Sequence, residues 1–272
     1  MKSLSASDLI SRRIQFGIFL ALLFLTSAST IAEVKLIRED NKASLELWET
    51  RLGPLWIPRP GLAVIRHLEW EQAVEKVYEH PSVHVTTGDV VLDCGAHIGG
   101  FTRTALLSGA RLVVAIEPEK SNVVAFRRNF AEAIRNGKVI LVEQGVWDKP
   151  GRLPLHISNV GDSHSIEIPQ NTGRDRMIEL TTIDILAGNL KLSKVDFIKI
   201  DIEGGELNAL LGARQVLKQW RPKLAVSSYH KKGDPSAICS LVWDVQPGYL
   251  VGSKDRLRYR DGKEVPKVLF FY

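Results

Sequence analysis

The sequence has few cysteines, and this argues against a disulfide-stabilised protein and against a cysteine metal site. Its 272 residues include only Cys94 and Cys239, which lie far apart in the chain. Two cysteines are too few for a disulfide framework, and this spacing does not match a metal-ligand motif. We expect both to be small core residues.

A strong charge of one sign is also lacking. The formal net charge is +5, and the lysines and arginines are scattered among 31 acidic residues without forming a basic stripe. No nucleic-acid partner is expected, because such a partner requires a clustered basic surface. With 44% apolar residues the chain can bury one substantial core. We therefore expect one domain preceded by an N-terminal extension.

The most informative stretch is an apolar run that ends in an acid and a turn of small residues. The run Val90–Leu92 is followed by Asp93, Cys94, Gly95, Ala96, His97, Ile98 and Gly99. Such a run is typical of a parallel strand covered on both faces, and glycine backbone lets a ligand approach closely. A helix predicted over residues 101–108 presents its free N–H groups to the turn. The pattern predicts a nucleotide-type site.

This turn lacks the G-x-G-x-x-G spacing of a dinucleotide fingerprint. The next predicted strand ends in Glu117–Pro118, 22 residues after Gly95, where an acid can accept hydrogen bonds from a ribose. Both NAD and S-adenosylmethionine carry ribose hydroxyls. A cationic sulfonium favours a turn with a carboxylate such as Asp93, whereas a pyrophosphate favours a glycine nest. The residues favour the methyl donor and leave an NAD-dependent oxidoreductase as the alternative.

Two further predicted strands extend this site. A strand over residues 139–142 precedes Gly145–Val146, whose backbone is suited to hold an adenine ring. A strand over residues 195–200 runs into three carboxylates, Asp201, Glu203 and Glu206. Because ligands of open α/β sheets bind outside the carboxyl ends of the strands, we expect Asp201 and Asp93 to face one cleft.

A fifth predicted strand ends in His230, the side chain most easily used as a base near neutral pH. We predict that Asp201 and His230 line the part of the cleft that takes the methyl acceptor and that they remove a proton from it. Glu203 is the next candidate base. No metal site is predicted, and activity is expected to be insensitive to a chelator. Residues 151–181 alternate in short runs and predict an antiparallel insertion at the rim of the site.

The N-terminal part of the chain differs from the rest in its amino-acid composition. A basic flank over residues 1–13 precedes a charge-free apolar stretch, 14–32, which predicts a signal peptide or an uncleaved membrane anchor; we favour the anchor, with its orientation open. Residues 33–66 predict a linker with a short helix around residues 45–51. A helix is predicted over residues 68–79, and we expect it either to form a lid over the cofactor site or to cover a sheet edge.

From about Tyr78 to Tyr272 the chain resembles the FkbM-type S-adenosylmethionine-dependent methyltransferases. The resemblance rests on Asp93–Gly99, where the family reads D-x-G-A-N-x-G, and on Glu117–Pro118. It rests also on Lys199–Glu206, where the family reads K-x-D-x-E-G-x-E. Tyr229–His230 resembles the family's fifth-strand signature, and His97 departs from the usual asparagine.

The resemblance implies a class I methyltransferase domain over residues 67–272. This is a Rossmann-like α/β fold with a seven-stranded, mostly parallel sheet, helices on both faces and an antiparallel last strand. It also implies S-adenosylmethionine as cofactor and methylation of a hydroxyl on a sugar, polyketide or related small molecule. The cofactor-binding residues expected are Asp93, Gly95, Ala96, His97, Gly99, Glu117, Pro118, Gly145 and Val146. The catalytic residues expected are Asp201, Glu203 and His230. A non-catalytic domain of the same fold is a further alternative.

Overall fold

The structure, a computed structural model, describes residues 34–158, 164–169, 172–231, 233–258 and 264–272. Its strands are β1 (Lys35–Asp40), β2 (Leu45–Glu49), β3 (Leu55–Pro58), β4 (Val90–Cys94), β5 (Leu112–Ile116), β6 (Val139–Val142), β7 (Gly145–Val146), β8 (Gly151–His156), β9 (Asp175–Thr181), β10 (Phe197–Ile200), β11 (Lys223–Ser227), β12 (Val251–Arg258) and β13 (Glu264–Phe271). Its helices are α1 (Leu62–Glu69), α2 (Gly100–Leu107), α3 (Lys120–Asn129), α4 (Ala131–Arg135), α5 (Ile183–Asn189), α6 (Glu206–Leu211), α7 (Arg214–Trp220) and α8 (Asp234–Val245). A π-helical turn over Trp70–Val74 continues α1 directly.

Seven strands form the central sheet in the order β12-β13-β11-β10-β4-β5-β6. Five neighbouring strands are parallel to one another, namely β11, β10, β4, β5 and β6. Strand β13 is antiparallel to both β11 and β12. Leu92 and Val114 belong to a core cluster on one face, while Val91 and Val113 belong to a cluster on the other. Burial on both faces explains the continuous apolar runs. The predicted mostly parallel sheet with an antiparallel last strand is confirmed.

The order of the strands determines where a ligand can bind. From β4 the chain builds β5 and β6 on one side, and it later returns to place β10 and β11 on the other side. Such a reversal leaves a crevice outside the carboxyl ends of the two central strands. Cys94, the last residue of β4, pairs with Ile200 at the end of β10 and with Ile116 at the end of β5. The loops after these three strands therefore meet at one place.

The predicted short helix over residues 45–51 is wrong. Strands β1, β2 and β3 form an antiparallel sheet of their own, in which Trp48 pairs with Leu55. Leu45, Trp48 and Ile57 are buried in a small core together with residues of α1. Pairing with β3 buries these side chains, and this tertiary packing outweighs local helical propensity. Much of the stretch predicted as a linker is thus folded.

Other predicted helices differ in their bounds. The helix predicted over residues 68–79 begins earlier, as α1, and gives way to the π-helical turn. The helical segment from Lys120 to Arg135 is divided into α3 and α4 at Phe130, which has a non-helical backbone. The antiparallel insertion is confirmed, because β8 pairs antiparallel with β9 along the whole length of β8.

None of the helices in the described part of the chain is long and apolar enough to cross a bilayer. The apolar stretch over residues 14–32 lies outside the described residues. The predicted membrane location, which depended on a helix in that stretch, is therefore corrected: no described helix supports it.

Asn129, the last residue of α3, links the N-terminal sheet to the turn after β4. Its Oδ1 accepts a hydrogen bond from the backbone N–H of Trp56, at 2.7 Å, and its Nδ2 donates to the carbonyl of Trp56, at 3.0 Å. The same Nδ2 donates to the carbonyl of Ile98, at 2.9 Å. One side chain thus satisfies three backbone groups from two other segments.

Replacing Asn129 with alanine is expected to lower the free energy of unfolding by about 2–4 kcal/mol, since three hydrogen bonds are lost and their backbone partners stay partly buried. Urea unfolding measures the change. The matched control is Asn136→Ala, at an exposed asparagine at the end of α4, for which a change within about 0.5 kcal/mol is expected. Equal effects of the two variants would contradict the linking role.

Candidate active site

A cleft opens at the carboxyl ends of β4, β5, β6 and β10. The cleft is lined by eight of the residues predicted for the site, namely Gly95, His97, Glu117, Pro118, Gly145, Val146, Asp201 and Glu203. The structure therefore brings together residues from four separate strand ends.

Four predicted site residues do not line this cleft. Ala96 lines a neighbouring cavity, which also includes Gly95 and His97. Asp93, Gly99 and His230 lie behind the cleft walls, and Asp93 is completely buried. Asp93, Gly99 and His230 can therefore affect a bound ligand only through the residues that they hold in place.

Asp93 holds the turn after β4 from inside the protein. Its Oδ2 accepts a hydrogen bond from the hydroxyl of Thr102, at 2.7 Å, and its Oδ1 lies 3.3 Å from the Nζ of Lys199. Lys199 also donates to the carbonyl of Gly95, at 2.8 Å. Burial acts to lower the pKa of Lys199, but the negative charges of Asp93 and Asp201 outweigh it and raise the pKa. The structure thus corrects the expectation that the Asp93 carboxylate faces the cleft.

Packing explains the two glycines of this turn. Gly95 and Gly99 have φ values of 78° and 97°, which favour glycine. A Cβ atom on Gly95 would lie 1.9 Å from the carbonyl oxygen of Asp201, and one on Gly99 would lie 2.0 Å from the ring of Phe130. Close approach by the protein itself therefore accounts for both glycines, whereas the sequence pattern suggested close approach by a ligand.

Glu117, just after β5, presents a buried carboxyl group to the cleft. Its Oε2 accepts from the backbone N–H of His97, at 2.8 Å, and its Oε1 accepts from the backbone N–H of Glu119, at 2.9 Å. Burial raises the pKa of Glu117 to about 7, against the opposing effect of these hydrogen bonds. Its charge therefore changes close to neutral pH.

Asn122 in α3 supports Glu117 and was missed by the sequence reasoning. Its Nδ2 lies 3.3 Å from the Oε1 of Glu117, in hydrogen-bond contact, and the residue lines the cleft. Its buried Oδ1 atom has no hydrogen-bond partner among the described residues. The cleft thus offers one acidic and one amide acceptor side by side, next to apolar walls from Ile116, Val146 and Leu155.

At the other end of the cleft, three predicted catalytic residues converge. The Nε2 of His230 lies 3.5 Å from the Oε2 of Glu203 and 3.7 Å from the Oδ1 of Asp201. Its Nδ1 lies 3.1 Å from the Oε1 of Glu206. The His230 side chain is only 4% exposed, whereas 19% of Asp201 and 24% of Glu203 are accessible. Asp201 and Glu203 can touch a ligand, and His230 supports them from behind.

The charges in this cluster influence one another. Burial acts to lower the pKa of His230, but Glu203, Glu206 and Asp201 outweigh it and raise the pKa well above its usual value. Burial raises the pKa of Glu203, and the nearby His230 offsets only part of this effect. Burial also acts to raise the pKa of Asp201, yet the positive charges of Lys199 and His230 lower it.

Local backbone geometry aims Glu203 into the cleft. Glu203 has a φ of 56° and Gly204 a φ of 102°, so the chain turns sharply between β10 and α6. The Oε1 of Glu206 accepts from the backbone N–H of Ile202, at 2.9 Å, and from that of Gly204, at 3.3 Å. A non-glycine residue at positive φ is strained, and such strain is concentrated at functional sites.

Tyr78, from the segment after the π-helical turn, completes the cluster. Its hydroxyl donates a hydrogen bond of 2.5 Å to the Oδ2 of Asp201, and Lys199 lies over its ring at 5.3 Å. Nothing in the sequence pointed to Tyr78, because it precedes Asp201 by 123 positions. Lys199 did carry a signal, since a lone lysine within a buried apolar strand needs a partner.

Similarity to one solved structure supports the fold. The chain is 22% identical to the FkbM methyltransferase of Methylobacillus flagellatus KT, with a TM-score of 0.51; the match covers 78% of this chain and 54% of that protein. It thus spans about half the length of that relative. A Streptococcus mutans methyltransferase solved in complex with SAH is 12% identical, with a TM-score of 0.43, over 74% of this chain and 95% of the other. No curated protein matches.

A family model matches the part of the chain that contains the candidate site residues. The model described as the methyltransferase FkbM domain matches residues 93–247, more than half of the chain. The matched region begins at Asp93 and contains Glu117, Asp201 and Glu203, which line the cleft, and His230, which lies behind its wall. By this match and by its fold, the chain belongs to the FkbM methyltransferase family.

Proposed function

We propose that this protein is an S-adenosylmethionine-dependent methyltransferase that methylates a hydroxyl oxygen. One observation carries the proposal: a single cleft has a buried acid matched to a ribose, Glu117, at one end and two accessible carboxylates, Asp201 and Glu203, at the other. Gly95 also lines the cleft, and it follows β4, the strand between β5 and β10 in the sheet. Such a cleft offers a place for the donor and an adjacent place for its reaction partner.

The residues at the donor end fit the expected cofactor. Glu117 is matched to the two ribose hydroxyls, and the Oδ1 of Asn122 offers a further buried acceptor. The apolar side chains of Ile116, Val146 and Leu155 suit the faces of an adenine ring. When bound, S-adenosylmethionine would supply an electrophilic methyl group on a positively charged sulfur, and the acids at the far end favour such a charge.

The residues at the acceptor end have to remove a proton. Methyl transfer to a hydroxyl requires in-line alignment of the oxygen and loss of its proton to a nearby base. Glu203 is the proposed proton acceptor, because it lines the cleft and keeps its carboxylate beside Asp201. The sequence favoured His230 as the base; its burial behind the two carboxylates makes it a positioning residue in this proposal.

The acceptor class comes from the family resemblance. A hydroxyl of a sugar, a polyketide or a related small molecule is the proposed partner, and no nucleic-acid partner is proposed. The alternatives left open by the sequence are not favoured by membership of a methyltransferase family. An NAD-dependent oxidoreductase would also need a glycine nest for the pyrophosphate, and the turn from Gly95 to Gly99 lacks that spacing.

Binding of S-adenosylmethionine, measured by calorimetry on the full chain, tests the proposal. Because the pKa of Glu117 is about 7, and because ribose hydroxyls donate to the ionised carboxylate, affinity is expected to rise with pH. Between pH 6 and pH 8 the gain is about tenfold, in proportion to the ionised fraction of Glu117. S-adenosylhomocysteine, which lacks the reactive methyl group, is expected to show the same dependence.

Glu117→Gln removes this charge with little change of shape. We expect it to weaken binding by about 1.5–3 kcal/mol at pH 8 and to abolish the pH dependence. Glu143→Gln is the matched control, since Glu143 lies beyond the end of β6 and pairs with Arg127, outside the cleft. Unchanged affinity of Glu117→Gln, or tighter binding of NAD than of the methyl donor, would refute the proposal.

A further inference from the structure

The acceptor end of the cleft has ligand atoms arranged as in a metal site. Asp201, Glu203 and His230 each present one such atom, and these three atoms lie within 4.8 Å of one another. The separations from the His230 Nε2, 3.5 Å and 3.7 Å, are too long for hydrogen bonds. A first-row divalent cation holds its ligand atoms at about 2.0–2.2 Å, so neighbouring ligand atoms lie about 3–3.5 Å apart.

The polar atoms that face this space lack hydrogen bonds. The Nε2 of His230 and the Oδ1 of Asp201 are buried atoms without a hydrogen-bond partner among the described residues. Buried polar atoms are rarely left so, and each such case calls for an explanation. Because the His230 side chain is 4% exposed, solvent has little access to its ring. A cation between the three side chains, bound as the Nε2 proton of His230 is released to solvent, would satisfy both atoms.

We propose that Asp201, Glu203 and His230 form a binding site for one divalent cation of the first transition row. One imidazole nitrogen and two carboxylate oxygens suit Mn²⁺, Fe²⁺ or Zn²⁺ better than Ca²⁺, which takes six to eight oxygen ligands. This inference revises the sequence-based expectation, which did not predict a divalent metal on these carboxylates. The ligands come from the ends of two adjacent strands, β10 and β11, so their proximity is tertiary.

Neighbouring residues prepare the site. The Oδ2 of Asp201 accepts from the hydroxyl of Tyr78, at 2.5 Å, which leaves Oδ1 directed toward His230. The Nδ1 of His230 lies 3.1 Å from the Oε1 of Glu206, an ion-pair distance without hydrogen-bond geometry, so this carboxylate lies beside the ring on the side away from Nε2. Such supporting partners are usual around metal-binding histidines. Tyr78 and Glu206, both absent from the predicted site residues, thus acquire a role.

The position of the cation suggests its use, and this part rests on the proposed function. Asp201 and Glu203 line the cleft, so a cation held by them would have open positions toward the acceptor hydroxyl and would lower that hydroxyl's pKa. A carboxylate that binds through one oxygen keeps its second oxygen for the acceptor's proton. The role of Glu203 as proton acceptor is therefore compatible with the cation.

Binding of Mn²⁺ alone to the chelator-treated full chain tests the inference. Calorimetry and the loss of the free Mn²⁺ signal in electron paramagnetic resonance are expected to give one ion per chain. Asp201→Asn and Glu203→Gln are each expected to weaken Mn²⁺ binding by about tenfold or more. The control is Asp244→Asn, at an exposed acid in α8 that pairs with Arg214, with unchanged affinity. Circular dichroism checks that the variants are folded.

Two outcomes would overturn the cation site. The first is no Mn²⁺ or Zn²⁺ binding by the unaltered chain at millimolar concentration. The second is equal affinity of the Asp201→Asn and Asp244→Asn variants, which would place the ion elsewhere. Binding of S-adenosylmethionine is measured separately in the absence of metal, so a failed cation site with intact donor binding leaves the proposed function standing.

Discussion

Replacing Glu203 with glutamine is expected to lower turnover by about 100- to 10,000-fold, the usual cost of removing a general base. Glutamine keeps the size of the side chain but cannot accept the acceptor's proton. The affinity for S-adenosylmethionine is expected to stay within about threefold of the unaltered protein, because Glu117 and Asn122 lie at the other end of the cleft. Steady-state rates with an acceptor that the unaltered protein methylates provide the measurement, together with calorimetry for the donor.

Two further variants show whether the loss is specific. Glu167→Gln alters a nearby acid that pairs with Lys231, and its kcat is expected to stay close to that of the unaltered protein. His230→Asn is expected to lower kcat with little effect on KM for the donor, since the charge of His230 lies beside Glu203 and Asp201 and away from Glu117. Full turnover by Glu203→Gln would move the proton acceptor to Asp201, the other carboxylate that lines the cleft.

Replacing Lys199 with methionine is expected to lower the free energy of unfolding by about 3–5 kcal/mol, because it leaves the charge of Asp93 buried without its partner. Methionine approximates the apolar part of the lysine side chain but supplies no donor for the carbonyl of Gly95. Urea unfolding, with an unchanged slope, measures the loss. Lys218→Met, at an exposed lysine of α7, is the control and is expected to change stability by less than about 0.5 kcal/mol.

The double variant Asp93→Asn with Lys199→Met separates charge from packing. Asparagine keeps a polar group next to Thr102 but carries no charge, so the double variant is expected to recover a large part of the stability lost in Lys199→Met. A double-mutant cycle gives the coupling energy between the two sites. If the double variant were less stable than Lys199→Met by the full effect of Asp93→Asn alone, the ion pair would not contribute to stability.

The sequence correctly predicted the cleft-lining residues that lie at the carboxyl ends of strands. Val90–Leu92 predicted β4, and the acids that follow β5 and β10 predicted that Glu117 and Asp201 line one cleft. The physical reason is that parallel strands align their carboxyl ends at one edge of a sheet. Residues far apart in the chain are thereby brought together by topology alone. The long apolar runs also predicted a sheet covered on both faces.

Roles within the cleft were harder to predict. The sequence treated Asp93 as a ligand-facing acid, and the structure pairs it with Lys199 in the interior. It treated Gly95 and Gly99 as openings for a ligand, and the structure packs them against Asp201 and Phe130. An acid or a glycine at a turn looks the same in a sequence whether its neighbour is a ligand or the protein itself.

By itself the sequence determined the succession of the central strands along the chain, the position of the cleft and eight of its lining residues. Periodic apolar runs and strand-end acids are local signals, and local signals suffice for those features. Only the tertiary structure decided that residues 35–58 form a sheet, that Tyr78 holds Asp201, and that His230 stands behind Asp201 and Glu203. These contacts join segments distant in the chain, and their energies depend on burial and distance, which a linear pattern does not contain.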